Sequence, residues 1–310
     1  MVPLLRVNVF PGGFNWPIFV ALENGFFTSH GIAVELQATS GSVAQMADFA
    51  AGKCDIAMTA FDNIVAYVEG EGEAPIGPQP QFFAFLGSDD SFLSLVSIPD
   101  VSSITQLRGR SVSVDAATTG YAFVLFDLLA EAGLASRDYD VAKVGGMAQR
   151  FGDLCHKGHA ATMLSSPYDI LAEQQGLRVL ARVEKSYQGN VAAARRDWAA
   201  RNENSIVAYT RAYVRALVWL HDHANRVEAC AILERNVTGM TRELAAASYA
   251  RMLAQSGGFS RTGRIDDAGA LTVLNLRSRY GRGGRKLLDP GKYADFRYWE
   301  RARRNGIFPS

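Results

Sequence analysis

"GKCDIAMTAFDNI", residues 52–64, aligns without a gap with "GHAATMLSSPYDI", residues 158–170, at an offset of 106 (158 − 52). Each copy opens on a glycine suited to closing a helix, passes through a short apolar run and reaches a hydroxyl, Thr59 or Ser165. Each then enters a second periodic stretch ending in Ile64 or Ile170. That is a strand followed by a helix, twice, at the spacing of a small domain. The repeat predicts two similar α/β lobes.

The flanking sequence has the same grammar. Before the first copy, "LLRVNVF" alternates apolar and polar residues as a strand. Asn15 is a candidate cap for the next helix, Pro17 suits its first turn and Gly25 stops it. "IAVELQA" (32–38) predicts a strand, "SVAQMADFAA" a helix with Ser42 as candidate cap, and "QFFAFL" (81–86) a strand after helix "DNIVAYVEG". Around the second copy, "SVSVDAA" (111–117), "YDVAKV" (139–144) and "LRVLARV" (177–183) predict strands. "TGYAFVLFDLLAEAG", "MAQRFGDLCHKG" and "PYDILAEQQG" predict helices. Strands alternating with helices argue a mainly parallel sheet in each lobe. From about Ser205 the pattern turns helical, through "TRELAAASYARMLAQS" and a stretch opening at Asp266 and stopping at Gly281. The expected lobes are 1–88 with 191–310, and 89–190, with crossovers near Ser88–Ser91 and Glu184–Asn190.

Composition excludes several classes. The chain of 310 residues has net charge +1, so nothing draws it as a whole to nucleic acid. The Arg-rich tail carries Asp289, Asp295 and Glu300 and reads as a solvated helical face. No apolar run reaches membrane-spanning length. Cys54, Cys155 and Cys230 show no metal-ligand spacing and read as small hydrophobes, and the five histidines form no metalloprotease motif. No cofactor is expected.

In open α/β sheets, ligands sit beyond the carboxyl ends of the strands. Those ends give six loops: Pro11–Asn15, Thr39–Ser42, Thr59–Asp62, Ala117–Tyr121, Gly145–Met147 and Ser165–Tyr168. They are rich in Gly, Ser and Thr, and several immediately precede helices whose free N–H groups can face a ligand. Single aromatics punctuate them at Phe14, Trp16, Phe61, Tyr121 and Tyr168. Thr118 and Thr119 are the second lobe's counterparts of Gly12 and Gly13. Hydroxyls on Thr59 and Ser165 could donate to a ligand, with Trp16 and Tyr121 flanking its body.

"GFFTSHGIAVEL" followed by "GKCDIAM", then "SITQLRGRSVSVD…LLAEAGL…VGG…R…G…ATMLSSP" and "LDPGKYADFRYWERA" resemble the type 2 periplasmic binding proteins of the nitrate, sulfonate, taurine and thiamine-precursor group. The resemblance runs from Leu5 to about Ala302. It implies two α/β lobes with two crossovers, closing by hinge motion on a small solute for delivery to an ABC-type membrane permease. The family's ligand loops fall on Gly12, Gly13, Phe14, Asn15 and Trp16, on Ser40 and Ser42, and on Thr59, Phe61 and Asp62. In the second half they fall on Thr118, Thr119 and Tyr121, on Ser165 to Pro167 beside Tyr168, and on Tyr187 to Asn190. Two departures stand out: Ala161 replaces the common acidic residue, and "FPGGFNW" replaces an aspartate-tryptophan opening, which argues against a pyrimidine ligand. A monomer is expected, periplasmic if a leader has been removed and cytosolic if the chain is native full length. The rival is an enzyme on the same fold, a decarboxylase, desulfinase or pyrimidine synthase, with Asp62 and Asp115 as candidate acids. A transcription regulator's effector lobe is a third alternative, lacking a helix-turn-helix.

Overall fold

The computed structural model of the chain describes residues 2–254, 257–304 and 308. The last two residues of "TRELAAASYARMLAQS" and the end of the Arg-rich tail lie outside the described residues.

Among the described residues ten strands follow in order: β1 Leu4–Val9, β2 Ala33–Ala38, β3 Ile56–Ala60, β4 Phe82–Gly87, β5 Ser94–Ser97, β6 Ser111–Val114, β7 Asp140–Lys143, β8 Ala161–Leu164, β9 Arg178–Arg182 and β10 Asn190–Arg195. They form two five-stranded sheets, ordered β2-β1-β3-β10-β4 and β7-β6-β8-β5-β9. The orders are equivalent, and so is the register. Val7 pairs with Ile56 and Val112 with Ala161, 49 residues apart in both (56 − 7 and 161 − 112). The two copies of the repeated segment therefore hold the same central position, β3 and β8.

In each sheet one interior strand is antiparallel to both neighbours: β10 between β3 and β4, and β5 between β8 and β9. These are the strands that the chain lays down immediately after crossing from one sheet to the other, through residues 88–93 and 183–189. Sequence periodicity misses both.

Strand β4 buries alternate residues into different cores. Phe83 and Phe85 pack with Tyr209, Tyr213 and Leu217 of helix Glu203–His221. Phe82 and Ala84 face the other way, into a cluster continuous with Leu95, Val112, Phe123 and Met163 of the second sheet and its helices. A strand covered on both faces reads as one unbroken apolar run, as "QFFAFL" does. The helical tail covers the first sheet through Arg226–Asn236, Arg242–Met252 and Arg297–Arg303, while helix Asp267–Tyr280 packs against both Phe61–Val68 and Gly120–Glu131.

The crossovers are tied together by one buried carboxylate. Asp89 accepts hydrogen bonds from the backbone N–H of Ser91 (2.8 Å) and Asn190 (3.1 Å) and from the Asn190 side chain (2.9 Å). Its neighbour is less well served. Burial, then the charges of Asp89 and Asp266, push the Asp90 carboxyl from its ordinary 3.8 up to about 6. The folded chain therefore holds this proton more tightly than the unfolded one. Stability falls as pH rises between those two values, and the cost persists above them. Asp90→Asn is expected to raise the melting temperature at pH 7.5 and to leave it close to wild type near pH 3.5. Melting curves across that range check this, and equal melting temperatures at pH 7.5 would contradict it.

Candidate functional site

A cavity of about 530 Å³ opens between the two sheets at the carboxyl ends of their parallel strands. Phe10, Pro11 and Phe14 follow β1, Thr39, Ser40 and Ser42 follow β2, Ala60 ends β3 and Asn63 lies just beyond it. From the second sheet, Asp115 to Ala122 by way of Thr119, Gly120 and Tyr121 follow β6. Gly146 to Arg150 follow β7, and Ser165 and Tyr168 follow β8. Helices Ser42–Ala50, Gly120–Glu131 and Met147–Cys155 all begin at this wall. The volume lies in the roughly 300–1,000 Å³ range of sites for organic molecules.

Of the residues expected from sequence, Phe14, Ser40, Ser42, Thr119, Tyr121, Ser165, Tyr168 and Asn190 line this cavity. The others do not, and each has a structural reason. Trp16 is wholly buried: its indole N–H donates to the Ala229 carbonyl at 2.9 Å and its ring meets Tyr249 edge-on. It pins helix Trp16–Glu23 to the helical tail and flanks no ligand. Phe61 is equally buried, edge-on to Tyr293. The Thr59 hydroxyl accepts from Asn63 at 2.9 Å, so it orients a lining residue from beneath. The Thr118 hydroxyl is spent on Glu73. Tyr187 is buried against Tyr121, ring centroids 6.1 Å apart.

Asp62 is the largest departure, since it has a full partner. Arg277 donates to both its oxygens at 2.6 and 2.8 Å, to Glu71 at 3.0 Å and to the Thr118 carbonyl at 2.9 Å. Both side chains of this pair are 1% exposed. Burial alone would lower the Arg277 pKa, but the charges of Asp62 and Glu71 hold it above the ordinary value. A carboxylate with both oxygens committed in this way has neither left to hold a ligand.

The Gly12-Gly13 corner works indirectly. Gly12 takes φ +157°, and a Cβ there would meet the Phe14 ring at 2.5 Å. Its absence gives the Phe14 ring room at the cavity wall. Asn15 does not cap its helix through the side chain; its Nδ2 donates to the Phe10 and Gly12 carbonyls at 2.6 and 3.3 Å and closes the corner. Ser42 is likewise no cap. It is the first helical residue, and its hydroxyl donates across the cavity to Asp115 at 3.1 Å. Arg251 of helix Arg242–Met252 meets Asp169 of helix Tyr168–Gln174 at 3.5 Å, a further contact between the lobes.

Periodicity overlooks Arg150, which is 4% exposed and lines the cavity. Nε donates to the Gly145 carbonyl at 3.0 Å, and Nη1 to the Met163 carbonyl (2.7 Å) and the Thr162 hydroxyl (3.2 Å). Among the described residues no carboxylate lies within ion-pair distance of it, and Nη2 donates to none of them. Burial brings its pKa down to about 10, partly offset by Asp115, so the guanidinium stays charged at neutral pH. A cation in the first turn of helix Met147–Cys155 opposes the helix dipole. That local penalty is the sequence signal by which Arg150 could have been found.

The thiols and imidazoles stand elsewhere. None of the three cysteines or five histidines is among the lining residues. His159 is paired with Asp153 at 2.6 Å, away from the cavity. Burial pushes the Cys54 thiol up to about 11. Replacing Cys54, Cys155 and Cys230 together by Ala is expected to leave solute affinity at wild-type level and to cost about 1–3 kcal/mol of stability. Calorimetric titration beside a melting curve checks both, and a tenfold loss of affinity would contradict the assignment. Among the described residues no group of three or more His, Cys, Asp or Glu could hold a metal ion, and no helix is long and apolar enough to cross a membrane.

Residues 15–226 match the protein-family model described as NMT1/THI5 like. No curated protein matches the chain. Among solved structures, the chain is similar to the periplasmic nitrate-binding protein NrtA from Synechocystis PCC 6803. Identity is 15%, coverage 100% of this chain and 91% of that one, and the TM-score 0.81. A protein from Bordetella bronchiseptica RB50 is 20% identical over 96% of both chains, with a TM-score of 0.80. The periplasmic aliphatic sulphonate binding protein SsuA from Escherichia coli is 14% identical over 94% of this chain and 97% of that one, with a TM-score of 0.71. At such identities the likeness establishes the fold: two α/β lobes of the periplasmic-binding-protein type, joined by two crossovers.

Proposed function

Because the chain belongs to the NMT1/THI5-like family, we propose that it is the solute-binding component of an ABC-type importer, working in the periplasm as a monomer beside a membrane permease. It captures a small polar or anionic organic solute between its lobes, 1–88 with 191–310 on one side and 89–190 on the other. The single observation that carries this reading is the cavity between the sheets with the unpaired Arg150 in its wall. A buried cation without a carboxylate is costly unless a ligand completes it. The solved structures support the reading: one similar protein binds nitrate, another aliphatic sulphonate.

Hinge closure fits the two crossovers, short segments that can absorb a change of backbone angle while the sheets move as bodies. The Ser42–Asp115 and Arg251–Asp169 contacts are among those between the lobes that opening would separate. An enzyme would need a nucleophile or a base at the cavity. The titratable groups lining it are Asp115, Arg150, Tyr121 and Tyr168, and burial raises the pKa of both tyrosines. Asp115 is the one carboxylate offered, and it has no acid partner beside it in the lining.

The test is native mass spectrometry of gently purified protein. A retained small molecule, released on denaturation and returned without chemical change after incubation, is the expected result. A released molecule that differs from the one supplied would establish turnover and defeat the binding reading.

A further inference from the structure

The cavity wall carries two formal charges, Arg150 and Asp115, and they are opposite. They do not neutralise each other by contact, since no ion pair within 4 Å joins them. Each has a polar edge left over. Arg150 has Nη2; Asp115 accepts from Ser42 through Oδ2, and no hydrogen bond to Oδ1 is formed by the described residues. Neighbouring charges are already committed: Asp62 to Arg277, Asp169 to Arg251, and Glu73 to Lys143 and Arg282. The electrostatic demand of the cavity therefore comes from one cation and one anion held apart.

A simple anion would satisfy Arg150 while meeting repulsion from Asp115, and a simple cation would do the reverse. A solute carrying both charges gains at both ends. The rest of the wall combines apolar and aromatic groups, among them Phe10, Phe14, Val114, Tyr121, Met147 and Met163, with hydroxyls and amides. We propose that the solute is two-ended, an acid group on Arg150 and a protonated amine on Asp115, joined by a flat or apolar body. This rests on the solute-binding reading and narrows it.

Two measurements test the proposal on the full chain. The first is the exact mass and composition of the retained solute. An acid that also carries a basic nitrogen is expected; a retained solute lacking either group overturns the proposal and leaves the binding reading intact. The second is calorimetric titration of solute-stripped protein with 4-aminobutanoate, 6-aminohexanoate and 4-(aminomethyl)benzoate, each against its acid-only and amine-only counterpart. At least one two-ended probe should bind roughly ten- to a hundredfold more tightly than either counterpart, the worth of one charge-assisted hydrogen bond. Asp115→Asn should erase the advantage over the acid-only probe and, with the repulsion gone, tighten binding of that acid. Acid-only probes that equal the two-ended ones in wild type, an advantage that survives Asp115→Asn, or silence of every probe each overturn it.

Discussion

Arg277→Met is expected to lower the free energy of unfolding by about 3–5 kcal/mol, because it leaves the Asp62 carboxylate buried without its partner. Asp62 and Arg277 are 1% exposed, so water cannot take over the lost bonds. Arg277 also reaches Glu71 and the Thr118 carbonyl, and its guanidinium lies 4.9 Å from the centre of the Phe123 ring. One side chain thus joins helix Phe61–Val68 to the loop before helix Gly120–Glu131, where the two lobes meet. At roughly 2 °C per kcal/mol for a chain of this size, the melting temperature should fall by about 6–10 °C. The double variant Arg277→Met with Asp62→Leu should recover much of that loss, since an apolar pair strands no charge between those two positions. A single variant that melts within 1 °C of wild type would show that the pair is not doing this work.

The second large effect is on the solute. Arg150→Gln is expected to weaken its binding by about 2–5 kcal/mol, roughly 30- to 5,000-fold, as for truncation of one partner in a buried charge pair. Arg150→Lys keeps the charge and loses the fork that spans Gly145, Thr162 and Met163, so it should fall between the two. Native mass spectra of the three proteins, purified side by side, read this as the fraction that retains solute. Equal retention by wild type and Arg150→Gln would remove Arg150 from the site.

The fold was legible where local pattern and tertiary structure agree. "LLRVNVF" and "QFFAFL" read as strands because alternation or an unbroken apolar run survives in the residues themselves. The duplicated segment even marks the equivalent central strands. The strands that escaped, β5 "SLVS" and β10 "NVAAAR", are four and six residues long, and half of each is Ser or Ala. Neither residue favours extended structure on its own. Both strands form because each is inserted between two waiting partners, and sequence-distant pairing leaves no periodic trace. Small side chains suit such a position, where the strand is covered on both faces; Ala192 and Ala194 face one core and Val191 and Ala193 the other.

The site was legible as a set of loops and less so as a set of side chains. Strand ends predict which segments surround the cavity, and Ser40, Ser42, Tyr121 and Ser165 are there. Which residue of a loop turns inward depends on packing. Trp16 lies three residues past Gly13 and turns into the core, while Phe14, directly after Gly13, takes the wall. Asp62 looks like a free carboxylate until Arg277, 215 positions away, is folded onto it. Arg150 lies one helical turn beyond its loop, and its exposure to the cavity follows from how helix Met147–Cys155 sits on β8.

Hinge closure on a solute is tested most directly by small-angle scattering on one preparation in three states: as purified, after the solute has been stripped by partial unfolding and dialysis, and after the recovered solute has been added back. The radius of gyration is expected to rise on stripping and to return on re-addition, with Arg150→Gln remaining expanded at the same solute concentration. A radius that stays constant through all three states, with solute binding verified by mass, would contradict closure.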